Sequence, residues 1–222
     1  MSTLTVFFDV GGTLLDTPDL FETIVHNLTN NGSDEKTRDL VIKIFGRMLQ
    51  NTEDYLSVEN VITTTLVLLT QEYGYPDISK NAHNIYYGVF LHRSSLFPET
   101  RFVLNTLRNK NVRMIIASDA DAEIMEKQLV KHNLKEYFVD VCTSGLIKGY
   151  KHSSRYVNYL RKYIIDNNDN YYFIGDNKVD VDCGRGLGIK SVLVDRSDSK
   201  KGIDADYIIH DLKEILSILG LK

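Results

Sequence analysis

The sequence has no run of lysine and arginine, and its formal net charge is -4. It therefore offers no electrostatic footprint for nucleic acid or for an anionic membrane, and a small anion would need a local positive site. No stretch approaches the ~18 consecutive apolar residues of a membrane span, and no basic segment near the start leads into an apolar run. The sequence thus predicts a soluble, cytoplasmic protein. Cysteine is scarce. Cys142 and Cys183 lie in or beside predicted core segments without metal-ligand spacing, which predicts reduced, buried thiols. Internal repeats and low-complexity tracts are missing as well. What is present is globular: 43% hydrophobic and 25% charged residues over 222 positions, enough for one domain carrying a sizeable insertion.

Hydrophobic patterning changes character twice. The run Val6-Phe7-Phe8, leading directly into Asp9, reads as a buried strand. From about residue 19 to 95 the periodicity is helical, with one stripe at Leu40, Val41, Ile44, Phe45, Met48 and Leu49 and another at Val58, Val61, Ile62, Leu66 and Leu69. Breaks at Asn30–Ser33, Asn51–Asp54 and Gly74–Asp77 divide this region into about four helices. After Pro98, short apolar runs (Val112–Ala117, Phe138–Val141, Tyr171–Ile174, Ser191–Val194, Tyr207–Ile209) alternate with amphipathic stretches starting near Glu99, Asp121, Ser153, Val181 and Asp211. Each stretch is long enough for a right-handed crossover. The predicted fold is α/β: a doubly wound, Rossmann-like parallel sheet formed by residues 1–16 and 96–222, with an α-helical domain inserted over residues 17–95.

Polar residues cluster at the predicted carboxyl ends of strands, where open α/β sheets bind ligands. Asp9 ends the first strand and is followed by Val10-Gly11-Gly12, whose glycines let backbone N–H groups approach a bound anion. Ser118-Asp119 follows Ile115-Ile116-Ala117, Lys151 lies in Gly149–Ser154, and Gly175-Asp176-Asn177-Lys178-Val179-Asp180 follows Phe173-Ile174. Each has an ordinary alternative: a turn aspartate, a helix-capping serine, a solvated lysine, acidic turn formers.

These four segments, in this order and with the helical insertion between the first two, resemble the haloacid dehalogenase-like (HAD) hydrolase superfamily over the whole chain. The Leu96-Phe97-Pro98-Glu99 entry into the second half is similar too. The resemblance implies that the insertion is a helical cap and that Asp9 is a nucleophile attacking phosphorus to form an aspartyl phosphate, which water then hydrolyses. It implies that Ser118 hydrogen-bonds a phosphate oxygen, with Gly11, Gly12 and Asp119 beside it, and that Lys151 supplies positive charge. It further implies a Mg²⁺ site formed by Asp9, the Gly11 carbonyl and Asp176, with Asp180 holding metal-bound water; oxygen-only donors select hard cations. Two alternatives stay open: Lys148 for Lys151, where the family's prolines after the lysine are replaced by His152 and Ser154, and Asp182 for Asp180.

Gly11 departs from the family's phosphatases. They carry there an aspartate that protonates the leaving oxygen, a function worth ~10²–10⁴ in rate, or roughly 3–5 kcal/mol. The expected activity is Mg²⁺-dependent hydrolysis of a small phosphorylated metabolite by a monomer or homodimer. The alternatives are a 2-haloacid dehalogenase, whose relatives need no Mg²⁺ but carry an aromatic residue at the Gly11 position, and a weakly active or non-catalytic phospholigand-binding protein. A phosphonate-cleaving relative would need a cap lysine, and Lys36, Lys43 and Lys80 sit in no motif for one. Within the insertion His26, Arg47, His83, His92 and Arg93 are the candidates to meet substrate, with solvated helix faces as the alternative.

Overall fold

The computed structural model describes residues 4–30, 32, 34–50, 55–165 and 170–221. Its contacts divide the chain into two compact units: Thr17–Ser94 together with Ala120–Gln128, and a second unit containing all the strands.

The second unit is built on six parallel strands: β1 (Thr5–Phe8), β4 (Arg113–Ser118), β5 (Asp140–Thr143), β6 (Tyr171–Gly175), β7 (Lys190–Val194) and β8 (Tyr207–Ile209). They form one sheet of order β5-β4-β1-β6-β7-β8. All four residues of β1 are buried, as a strand covered on both faces requires. On one face Phe7 stacks on Phe173 (ring centroids 6.0 Å apart) in a core cluster with Ile115, Cys142, Tyr156 and Cys183. Both cysteines are free and buried, and burial pushes their thiols up, to about 11 for Cys142 and about 12 for Cys183. The chain builds outward from β1 on one side (β4, β5), then returns to its other side at β6. This reversal puts a crevice at the carboxyl ends of β1, β4 and β6, where α/β sheets bind ligands.

Two features of this unit differ from the sequence-based expectation. A two-stranded antiparallel pair, β2 (Leu15–Asp16) and β3 (Ser95–Leu96), brackets the insertion. Strands of two residues carry no periodicity to detect. The helix after β6 begins at Lys178 rather than near Val181, because Asn177 and Asp180 form a capping box that starts it three residues sooner.

The other unit is helical. Leu20–Leu28 is capped by Asp19, whose carboxylate accepts from the Phe21 and Glu22 amides (2.7 and 3.0 Å), and Val58–Tyr73 runs from the Ser57 cap to Gly74. Glu35–Gln50 and Ala82–Tyr87, continued by Gly88–His92, complete it. The stripe from Val58 to Leu69 is buried throughout. In the other stripe Val41, Ile44 and Phe45 are buried, while Leu40, Met48 and Leu49 are half-buried. Of the expected breaks, Asn51–Asp54, Asn31 and Ser33 fall outside the described residues.

The contact-based units and the expected 17–95 insertion differ at two places. Ser95 groups with the sheet, and Ala120–Gln128 group with the helices. Polar contacts explain the second difference. The Asp121 carboxylate accepts from the Tyr55 hydroxyl (2.6 Å) and the Val58 amide (3.1 Å), the Tyr87 hydroxyl donates to Glu123, and the Gln128 amide donates to the Phe90 carbonyl. Long-range hydrogen bonds of this kind leave no local sequence signal.

Candidate active site

Asp9 follows β1 directly, its amide donating to the Ile174 carbonyl of β6 (2.8 Å), so the carboxylate stands at the crevice with only 8% of the residue exposed. Two glycines shape what surrounds it. Gly12 has φ +73°, and a Cβ there would lie 2.5 Å from Asp176 Cγ. Gly175, ending β6, leaves the space that the Asp180 carboxylate fills. Both are close approaches that any side chain would block. Gly12→Ala is therefore expected to cost at least about 1–2 kcal/mol from the left-handed backbone alone, measurable by urea denaturation. Gly11 is not among the residues with positive φ, so its backbone admits a side chain.

Asp9, Asp176 and Asp180 converge, each with a carboxylate oxygen within 4.8 Å of the others. Lys151 sits among them with 2% exposure, and its ammonium donates to Asp9 Oδ1 (2.5 Å) and Asp180 Oδ1 (2.6 Å). Asp180 Oδ2 accepts from the Asn177 amide at 3.0 Å, so this one carboxylate both caps a helix and holds the lysine. Burial pushes Asp9 up, to about 8; the Lys151 ammonium opposes this, and the Asp180 and Asp176 carboxylates add to it. Burial, opposed by Lys151, likewise raises Asp180. Lys151 is held well above its ordinary value: burial works against its charge, and Asp180, Asp9 and Asp119 outweigh it. Three carboxyl groups meet in a poorly solvated place, and an oxygen-only donor set of this kind suits a hard divalent cation.

Asp119 has a positioning part. Its Oδ1 accepts from the Ser144 hydroxyl and from the Lys151 backbone amide, both at 2.7 Å, and so fixes the turn that carries Lys151. Ser118 ends β4, the strand beside β1, and is buried; its carbonyl accepts from the Tyr156 hydroxyl, which also bridges to the Cys142 carbonyl (2.7 Å) and so ties β4 to β5. The two open pairs take different places. Lys148 is exposed in a left-handed turn, and Asp182 pairs with Lys178 (2.5 Å) on an exposed helix face, so neither stands with Asp9.

Residues 6–194 match the haloacid dehalogenase-like hydrolase family. The chain belongs to this family. Among relatives, the pyrophosphatases PpaX of Oceanobacillus iheyensis and Halalkalibacterium halodurans are 23% and 22% identical, over 99% and 98% of this chain and 98% and 97% of theirs. Among solved structures, the magnesium-bound HAD hydrolase YfnB of Bacillus subtilis superposes with a TM-score of 0.74 at 19% identity, covering 99% of this chain and 100% of its own. The L-2-haloacid dehalogenase RSc1362 superposes at 0.77 with 17% identity and the same coverage. At these identities the structural likeness establishes the fold, which is shared by phosphatases and dehalogenases alike.

Two basic residues after β7 are not among the candidates the sequence offers. Arg196, after β7, donates to Glu99 Oε1 (2.6 Å) and to the Thr13 carbonyl (3.0 Å) and lies over the Phe97 ring. Lys200 donates to Asp176 Oδ2 (2.8 Å) and to the Asp176 carbonyl. Both follow a strand that carries no HAD motif, and the fold brings Lys200 to Asp176 and Arg196 to Glu99. In the helical unit all five candidates, His26, Arg47, His83, His92 and Arg93, are exposed or half-buried. His26 and Arg93 line an open hollow of about 760 Å³ with Asp19, Asn84 and others, whereas His83 pairs with Glu59 and stacks on Tyr87.

Proposed function

We propose that this HAD-family hydrolase is a Mg²⁺-dependent phosphatase working through an aspartyl phosphate on Asp9. The observation that carries this reading is the convergence of Asp9, Asp176 and Asp180 on one point, with Lys151 bonded to Asp9. Asp9, Asp176 and the Gly11 carbonyl would hold the cation, with Asp180 behind it; when bound, the ion would neutralise the carboxylates and polarise the phosphoryl group. An Asp9 oxygen attacks phosphorus, and the bond to the leaving oxygen breaks with its electron pair. Water then attacks the same phosphorus, the Asp9–phosphorus bond breaks, and phosphate leaves. Lys151 keeps the nucleophile oriented and offsets the charge of two anions brought together, while Ser118 takes a phosphate oxygen. In this reading the helical insertion is the cap that selects substrate, and the protein works in the cytoplasm as a monomer or homodimer.

Gly11 narrows the substrate. With no positioned acid, the leaving oxygen must carry its own negative charge, so phosphoanhydrides, acyl phosphates and aryl phosphates are expected to exceed alkyl phosphates in kcat/KM. The names of the PpaX relatives agree with an anhydride substrate. Gly11→Asp is expected to raise kcat/KM for alkyl phosphates by ~10²-fold or more and to flatten the dependence on leaving-group pKa. A flat dependence in the wild type would mean that another residue gives the proton, with Asp119 and Asp16 the first two to substitute.

Chelation tests the metal. Phosphate-ester hydrolysis is expected to stop in chelator and to return with Mg²⁺, and Asp176→Ala to abolish it or raise the Mg²⁺ requirement. Full activity in chelator, together with halide release from a 2-haloacid, would place the protein with its dehalogenase relatives instead.

A further inference from the structure

Besides Lys151, Lys200 ion-pairs with the three converging carboxylates. Its ammonium donates to Asp176 Oδ2 (2.8 Å), to the Asp176 carbonyl and to the Val194 carbonyl (3.3 Å), so all three of its N–H groups have acceptors. The backbone behind it is held as well. The buried Asp195 at the end of β7 accepts from the Ser199 amide (3.0 Å) and the Lys200 amide (2.9 Å), anchoring the turn that projects the side chain. A lysine on a solvated turn gains little from a surface pair and keeps its rotamer freedom. This one is aimed by its own turn at Asp176, and its side chain is only 26% exposed.

Resting on the metal-dependent reading above, we propose that Lys200 is an internal counter-cation that competes with the divalent ion for Asp176 and so sets the metal affinity of the site. One oxygen of Asp176 is engaged by the ammonium, which leaves the other for the metal, and a second cation on the same carboxylate lies well within the ~8 Å Debye length, where salt screens it poorly. The same ammonium offsets carboxylate repulsion within the cluster, so Lys200 stabilises the metal-free fold and weakens metal binding at once. A residue that merely packed the turn would do only the first.

The experiment is calorimetric titration of the full-length chain with MgCl₂, for the wild type, Lys200→Met, Lys200→Arg and Asp176→Asn, paired with melting curves in chelator and in saturating Mg²⁺. Lys200→Met is expected to bind Mg²⁺ about tenfold more tightly (~1.4 kcal/mol), and Lys200→Arg, which keeps the charge, to stay near the wild type. Lys200→Met should melt below the wild type in chelator, with the gap closing in Mg²⁺; the melts also establish that it folds. Equal or weaker Mg²⁺ binding by Lys200→Met, or a gap that persists in Mg²⁺, overturns the proposal and leaves the metal site standing if Asp176→Asn has lost binding. Mg²⁺ binding that survives Asp176→Asn, or is missing in the wild type, overturns the metal reading and the role of Lys200 with it.

Discussion

Asp9→Asn is expected to lower kcat by ~10⁴-fold or more, as loss of a covalent nucleophile does, without loss of the fold. The amide is nearly isosteric with the carboxylate and can still accept from Lys151, but it cannot attack phosphorus. Stability should move the other way from activity. Asp9 is raised from 3.8 to about 8 in the folded protein, so the folded state binds more protons than the unfolded one between those values. The contribution of Asp9 to stability is thus greatest at low pH and is lost as pH rises through that window. The amide of the variant does not titrate, so Asp9→Asn should gain on the wild type between pH 5 and pH 8 in metal-free urea denaturation. Retention of a large share of the wild-type rate by pure variant would refute the nucleophile, whatever the stability data say.

Lys151→Met is expected to remove activity and to destabilise the protein by about 3–5 kcal/mol, the cost of breaking a buried charge pair from one side. Lys151 is 2% exposed and its ammonium bridges Asp9 to Asp180, so its loss leaves two buried carboxylates facing each other with no cation between them. They can then escape only by taking up protons, which makes the deficit larger at pH 8 than at pH 5. Asp180→Asn in the Lys151→Met background should recover part of the lost stability and none of the activity. A deficit below ~1 kcal/mol at both pH values, in denaturation with and without Mg²⁺, would mean that the cluster is far better solvated than its burial indicates.

Much of the fold was legible because its signals are local. A buried run such as Val6-Phe7-Phe8 can satisfy its backbone only inside a sheet, and the Val58–Leu69 stripe presents one apolar face only as a helix. The six strands appear where the apolar runs predicted them, within two residues at each end. The short elements were not legible. β2 and β3 depend on each other across the whole insertion, and Ala120–Gln128 group with the helical unit through hydrogen bonds to Tyr55, Val58, Tyr87 and Phe90 that no window of sequence contains.

The site divides along the same line. As candidates, Asp9, Ser118 and Asp176 stand out by residue type at strand ends, because a parallel sheet delivers its carboxyl edges to one crevice whatever its loops contain, and Lys151 by the segment around it. Residue type could not choose Lys151 over Lys148 or Asp180 over Asp182. That choice depends on which side chain points inward, set by the left-handed turn at Lys148 and by the capping box that starts its helix at Lys178. Nor could it anticipate Lys200, 24 residues beyond the carboxylate it engages. The apolar runs, the helical insertion and the chemistry available at each strand end are local properties of the chain, since they follow from periodicity and from the few residues able to carry such chemistry. Which charges meet, and how deeply they are buried, is a property of the folded chain, because Coulomb energy and desolvation depend on distances between segments brought together only on folding.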